Sequence, residues 1–329
     1  MNFARPRLAA RSACGREWAF RLVAIAASLA FFECALRIAN QPRYDTCWVA
    51  GNEFWREDPV LGFGYEPGMD VAGGVVNALG LRGPAPPIEK PPGTQRILYV
   101  GDSTAYGFGV ADDQAFWSLA TREIAARDPA RTVEPLVAAA PGYSSYQSRV
   151  LVDRFAPYAP DWAVLYVGAH NDERRRGYYE DAEIPARTAR RRAAWHELRV
   201  LRAGEFLVDR LGRWWSKHDH DPLANRRVPP AAFEANLRAM IASLRAAGAK
   251  PLILVPPFAD TLVARYPAVP VYREILERVA QEEKVPSVAL QPLFAQHDPK
   301  DVYLPDDDFH PNPLGHRIIA GAIAAAIAP

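Results

Sequence analysis

Arg96-Ile97-Leu98-Tyr99-Val100-Gly101-Asp102-Ser103 is the stretch on which the fold turns. An apolar run too short for a helix stops at a glycine and then at two polar residues. Continuous apolar runs of this length, bounded by turn residues, suit a strand buried on both faces of a parallel sheet. Thr104-Ala105-Tyr106-Gly107 follows, so Ser103 emerges where a helix starts and where backbone N–H groups lack partners. Alone, Ser103 also reads as a helix N-cap. Neither type of phosphate-binding loop fits. No Gly-Lys-Ser/Thr is present here, and Gly107-Phe108-Gly109 lacks the third glycine of a dinucleotide fingerprint.

Further apolar runs occur at Pro135–Ala139, Ala163–Val167, Leu252–Val255 and Ser287–Leu290. Amphipathic stretches alternate with them at Gln114–Arg127, Ser145–Phe155, Pro230–Ala247, Tyr272–Glu283 and Pro313–Ile327. That alternation predicts a doubly wound α/β fold, a three-layer α/β/α sandwich around a five-stranded parallel sheet. Functional groups then belong beyond the carboxyl ends of the strands. The main domain is expected at 94–329, interrupted by an insertion at about 173–229. The insertion holds Arg174-Arg175-Arg176, Arg187, Arg190-Arg191-Arg192, Trp214-Trp215 and His218-Asp219-His220-Asp221. It reads as a partly helical segment over the functional edge of the sheet, its arginines as a solvated or membrane-proximal face and its His/Asp run as a polar loop. Residues 41–93 read as short strands and turns packed on the main domain, on the strength of their Pro, Gly and aromatic content.

Other motifs fall after successive strands. Ala140-Pro141-Gly142-Tyr143 puts a glycine where the backbone can approach a ligand, although an ordinary strand-to-helix turn has the same look. Gly168-Ala169-His170-Asn171-Asp172 puts a side-chain N–H₂ donor past a strand; asparagine is also a common turn residue. Asp307-Asp308-Phe309-His310-Pro311 sets a carboxylate three residues before a histidine, within an acidic loop. A serine hydroxyl needs a base to take its proton, and the base needs an orienting partner. Ser103, His310 and Asp307 supply those residue types, and spacing favours Asp307 over Asp306 or Asp308. His170 is a further candidate for contact with substrate, and His316 is expected to open the last helix.

The order serine, glycine, asparagine, Asp-x-x-His resembles the SGNH hydrolase superfamily, also called GDSL-type esterases and lipases. The resemblance runs from about Arg96 to the C-terminus, outside the insertion. It implies Ser103 as nucleophile and backbone oxyanion donor, Gly142 as second backbone donor, Asn171 as side-chain donor, His310 as general base and Asp307 as its orienter. It implies cleavage of carboxylic esters with no metal and no organic cofactor. Small O-acyl groups on envelope or exported polysaccharide are the expected substrates. An O-acyltransferase using the same residues, a lipid esterase and a non-catalytic glycan-binding scaffold are the competing readings. One departure from the family pattern stands out: two residues, Ala169 and His170, separate Gly168 from Asn171 where one is usual.

Arg5, Arg7, Arg11, Arg16 and Arg21 precede the apolar stretch Leu22–Phe32, which runs on to Ile38. With Trp18 to Phe20 it reaches about 20 residues, enough to span a bilayer. Expected boundaries are a basic cytoplasmic tail at 1–17 and a signal-anchor helix at 18–40, with Glu33 and Arg37 paired one turn apart. The arginine excess places the N-terminus in the cytoplasm and the catalytic domain outside, in the periplasm of a bacterial inner membrane. A cleaved signal peptide is the rival, although no clean small-x-small site is present, and a buried or interfacial helix is the remaining alternative. Together with the anchor, Leu79-Gly80-Leu81-Arg82-Gly83 resembles a membrane-anchored bacterial subgroup. A formal net charge of +1 gives nucleic-acid binding no support. Cys14, Cys34 and Cys47 are the only cysteines, so a disulfide framework is excluded beyond residue 47.

Overall fold

The computed structural model describes residues 7–39, 55–56, 58–168, 170–173, 180–191, 198–216 and 226–327. Arg174-Arg175-Arg176, Arg192 and His218-Asp219-His220-Asp221 lie outside these residues, as do 40–54.

Helix α1 (Arg7–Ile38) leads the chain and starts inside the basic tail. Its stretch Arg16–Ile38 is long and apolar enough to cross a membrane and is not buried by the rest of the protein. Arg37 Nε donates to Glu33 Oε1 at 2.6 Å, the one-turn pair expected from the spacing. Two antiparallel ribbons follow, β1 (Trp55–Arg56) with β2 (Gly64–Tyr65) and β3 (Asp70–Val71) with β4 (Gly74–Val75).

The main sheet is parallel throughout: β5 (Thr94–Gly101), β6 (Thr132–Ala139), β7 (Trp162–Tyr166), β8 (Lys250–Val255) and β9 (Ser287–Ala289), ordered β6-β5-β7-β8-β9. Alternation along β5 splits the interior in two. Leu98 and Val100 face a core closed by α4 (Ser145–Phe155), α8 (Pro230–Ala246) and α10 (Val269–Glu282). Ile97 and Tyr99 face a second core, closed by α3 (Phe116–Arg127) and α13 (Pro313–Ala326). All four strand residues are fully buried, so each of the aliphatic ones contributes about 1.5–3 kcal/mol by leaving water. Helix α10 begins three residues before its expected start because Pro270 fits the first turn, where no N–H is needed.

The strand order creates a switch point. The chain leaves β5 for β6 on one side and returns to β7 on the other, opening a crevice at the carboxyl ends of these strands. Short helices gather after the strands: α2 (Ser103–Tyr106), α5 (His170–Glu173), α9 (Asp260–Arg265), α11 (Gln291–Phe294) and α12 (Pro299–Val302). Between α5 and α8 the expected insertion contributes α6 (Ile184–Arg191) and α7 (Arg199–Ser216), and α7 lies against α1.

Candidate active site

Gly101 ends β5 where a side chain has no room. A Cβ there would sit 2.3 Å from the Tyr166 carbonyl oxygen of the neighbouring strand. Asp102 then caps α2, its Oδ1 accepting the Thr104 N–H at 2.9 Å. The cap is therefore Asp102, and Ser103 is left as the first helical residue with its hydroxyl uncommitted to the helix. A single turn later the helix stops at Gly107. Arg82, from the Leu-Gly-Leu-Arg-Gly run, is fully buried beneath that stop. Its guanidinium donates to the carbonyls of Tyr106, Gly73 and Val110 and pairs with Asp112 at 2.6 Å. Carbonyls orphaned at a helix end thus find a fixed cation.

His310 Nε2 lies 2.8 Å from Ser103 Oγ, across 207 positions of sequence. Its Nδ1 lies 2.6 Å from Asp307 Oδ2. The other carboxylate oxygen, Oδ1, accepts the N–H groups of Phe309 and His310 at 3.0 Å each, so one side chain both shapes the loop and holds the ring. Burial opposes ionisation of Asp307, but the hydrogen bond and charge of His310 and the two N–H donors prevail and bring it down to about 2. Asp308 turns away to Arg265 at 3.1 Å. Asn312 closes the loop: its Nδ2 donates to the Asp301 and Tyr303 carbonyls while its Oδ1 caps α13. Phe108 stacks on the His310 ring at 4.4 Å, and Phe309 packs at 3.9 Å.

Gly142 follows β6 with φ +80°, a left-handed conformation that glycine adopts without strain. Three polar contacts fix its turn. Tyr65 Oη donates to the Pro141 carbonyl at 3.0 Å, Arg227 Nη1 to the Gly142 carbonyl at 2.8 Å, and Tyr143 Oη to the Phe63 carbonyl at 3.0 Å. Arg227 is itself held by Asp181 at 2.7 Å, both fully buried. The two ends of the insertion therefore meet in an ion pair under the Gly142 turn. Breaking such a pair typically costs about 3–5 kcal/mol.

Asn171 is buried in α5, its Nδ2 3.4 Å from Asp102 Oδ2. Burial pushes Asp102 up to about 6 against the opposing bonds of Thr104 and Asn171 and the charge of His310. His170 packs its ring 4.0 Å from Phe309 and 5.4 Å from Tyr266, beside the Ser103–His310–Asp307 chain and not within it. His316 lies in the first turn of α13, which Asn312 caps, and it is a core residue. Its Nδ1 accepts the Phe116 N–H at 3.1 Å. Burial, helped by the charges of Arg82 and His310, lowers it to about 3, so it stays neutral.

Asp172 is fully committed to structure. Its Oδ1 accepts the Ser145 N–H at 2.9 Å and lies within hydrogen-bond reach of the Ser145 hydroxyl. Burial raises it to about 7 although both Ser145 bonds oppose the shift. The sign of the linkage follows. Between about pH 4, where an unfolded aspartate ionises, and pH 7 the native state holds a proton that the unfolded chain has lost, so stability falls as pH rises. Asp172→Asn keeps an oxygen acceptor for Ser145 and removes this titration. Thermal melts from pH 4 to 8 are expected to lose less stability toward neutral pH in the variant than in the wild type. Parallel curves would rule out the assignment.

The profile of the GDSL-like Lipase/Acylhydrolase family matches residues 99–318, more than half of the chain. The chain belongs to the GDSL-like lipase/acylhydrolase family. This GDSL-like protein is a serine hydrolase acting on esters. Similar solved structures include a lipase/acylhydrolase from Enterococcus faecalis, 18% identical over 71% of this chain and 95% of the other, TM-score 0.48. A variant of an acetyl xylan esterase from Geobacillus stearothermophilus is 14% identical over 71% and 94%, TM-score 0.47. A second acetyl xylan esterase is 18% identical over 71% and 100%, TM-score 0.48. A search of curated proteins returned no match.

In this GDSL-like fold the structure brings Ser103, His310 and Asp307 into one hydrogen-bonded chain, with Asn171 reaching the Asp102 cap beside Ser103. Sequence reasoning missed Phe108 as the ring lid on His310 and Arg227 as the support of Gly142. Phe108 carried a detectable signal, since it follows the Ser103 turn directly. Arg227 carried none, because its role arises only when the insertion folds back.

Proposed function

We propose that Ser103, His310 and Asp307 form the catalytic triad of a membrane-anchored esterase. The observation that carries the reading is the unbroken run of short contacts from Asp307 through His310 to Ser103. His310 Nε2 takes the Ser103 proton as Oγ attacks the ester carbonyl. Negative charge develops on the carbonyl oxygen, where the N–H groups of Ser103 and Gly142 and the Asn171 side chain receive it; one such donor is worth about 3 kcal/mol. His310 then protonates the leaving alcohol. In the second half it deprotonates water, which attacks the acyl-serine and releases the acid. Asp307, charged throughout, keeps the Nδ1 proton in place.

The substrate we infer is a short acyl ester on envelope or exported polysaccharide. Two features support it. Helix α1, read as an uncleaved signal anchor, holds the domain on the periplasmic side of the inner membrane, within reach of such polymers. Phe108 and Phe309 crowd the His310 ring, which favours a small acyl group next to the serine.

A series of p-nitrophenyl esters from acetyl to octanoyl tests the reading. We expect kcat/KM to be highest for acetyl and to drop at least about tenfold along the series, as steric rejection of added methylenes allows. Acetate should also appear from an O-acetylated polysaccharide. A preference for octanoyl would make the enzyme a lipid esterase. Acetyl passing to an added sugar hydroxyl at the expense of acetate release would make it an acyltransferase.

A further inference from the structure

Helix α7 is built inside out. At helical period Val200, Leu201, Leu207, Val208 and Leu211 share one arc, while Arg199, Arg202 and Glu205 share the other with Phe206 among them. Trp214 and Trp215 extend the apolar stripe in the sequence. A helix on a soluble domain turns such a stripe inward. Here the aliphatic side chains face out: Leu201 is 40% exposed, and Leu207, Val208 and Leu211 are each 56% exposed. Leu198, just before the helix, is exposed as well. Arg199, Arg202 and Glu205 are half-buried, as is Val200 at the start of the helix, beside α1. Contiguous exposed aliphatic surface of this kind marks a contact with an apolar partner.

The neighbour of α7 identifies the partner. Helix α7 rests on α1, and the Val200 N–H at its start donates to Glu33 Oε2 at 2.9 Å. Glu33 lies close to the end of the apolar stretch, and Val23, Ile25, Leu29, Phe31 and Phe32 of that stretch are all at least half exposed. Two helices that each expose apolar side chains thus pack against one another. In the anchored protein the Glu33–Arg37 pair belongs at the outer membrane–water boundary, which sets the start of α7 at the same depth.

We infer that α7 is an interfacial helix that lies in the outer leaflet of the bilayer crossed by α1, with its Leu201, Leu207, Val208 and Leu211 arc among the lipid chains. The inference rests on the reading of α1 as a membrane anchor. It gives the insertion a physical purpose. The segment that carries α7 starts after Glu173 and ends at Arg226-Arg227, and Arg227 with Asp181 holds the Gly142 turn. A docked α7 would fix the site in height and tilt above the membrane, beyond what a single flexible anchor provides.

The test uses the full-length protein in phosphatidylethanolamine/phosphatidylglycerol vesicles, with Cys14, Cys34 and Cys47 replaced by serine. Single cysteines at Leu207, Leu211, Glu205 or Leu29 carry a bimane fluorophore, and lipids spin-labelled near the headgroup or deep in the chain act as quenchers. Turnover of a water-soluble ester checks that each variant is folded. With an apolar arc sunk ~5–10 Å below the headgroups, the Leu207 and Leu211 probes should be quenched by shallow spin labels at least about twofold more than the Glu205 probe. The Leu29 probe should respond to the deep label. Equal quenching at Leu207, Leu211 and Glu205, with Leu29 still quenched, overturns the docking and leaves the anchor standing. Loss of quenching at Leu29 as well overturns both. Copy-to-copy disulfides through Leu211→Cys without lipid quenching would assign the face to a second copy of the chain and equally overturn the inference.

Discussion

Ser103→Ala is expected to lower kcat/KM toward any ester by roughly five to six orders of magnitude, to a residue supplied by oxyanion donors and binding alone. The substitution removes one oxygen and asks nothing of the fold. Asp102, not Ser103, caps α2, and Gly107 and Arg82 hold the other end of the turn. The Ser103 hydroxyl is engaged by the His310 ring. Stability should therefore change by no more than about 1 kcal/mol, within the usual range for a substitution that breaks no cap and opens no sizeable cavity. A fluorophosphonate probe should label the wild type and leave the variant unmarked. Ser145 is the informative control because it too is buried after a strand, yet its hydroxyl faces the Asp172 carboxylate and no histidine. Ser145→Ala should still be labelled. Substantial turnover by Ser103→Ala, or labelling that follows Ser145, would dismantle the proposed site.

Much of this architecture is legible from period and punctuation. The five apolar runs correspond to the strands of the sheet; in β5, β7 and β8 this follows from burial on both faces, which writes itself as unbroken hydrophobicity, whereas the edge strand β9 is short and mostly exposed. Strand ends were less legible. Thr94–Arg96 and Thr132–Glu134 continue β5 and β6 with mostly polar residues, held by backbone pairing that leaves no compositional mark. Arg96 shows how far local reading falls short. It looks like a solvated flank, but it is fully buried, donating to the carbonyls of Pro87, Ile88, Glu89 and Tyr158 and pairing with Glu134 at 3.0 Å. The site residues were legible where chemistry demands a rare type at a turn: Ser103 after glycine, and histidine three positions past aspartate. Their supports were not. Arg82 and Arg227 act on backbone carbonyls brought near by tertiary folding, and a carbonyl carries no sequence signature. Helix α7 inverts the usual inference: its amphipathic period is plain, but only the structure tells which face points out.

Asp307→Asn should cost about four orders of magnitude in kcat/KM, although it exchanges only an oxygen for an NH₂ group. The reason lies in the tautomer. Asp307 Oδ2 accepts from His310 Nδ1, which leaves Nε2 unprotonated and able to take the Ser103 proton. Asparagine can keep its own oxygen on the Phe309 and His310 N–H groups, so the loop survives. Its NH₂ then faces Nδ1 and forces that nitrogen to accept. The proton moves to Nε2, and the base can no longer work. Acidity adds a second signature. Asp307 sits at about 2, below its unfolded value near 4, so its contribution to stability is full above pH 4 and is lost as pH falls toward 2. The gap in Tm between wild type and Asp307→Asn should therefore narrow on acidification below pH 4. Asp308→Asn, which disturbs only the contact with Arg265, should retain activity within a few-fold of wild type. Equal losses in the two variants would mean that the acidic loop acts through its summed charge. Retention of activity by Asp307→Asn would mean that another group orients His310, and the triad would have to be redrawn.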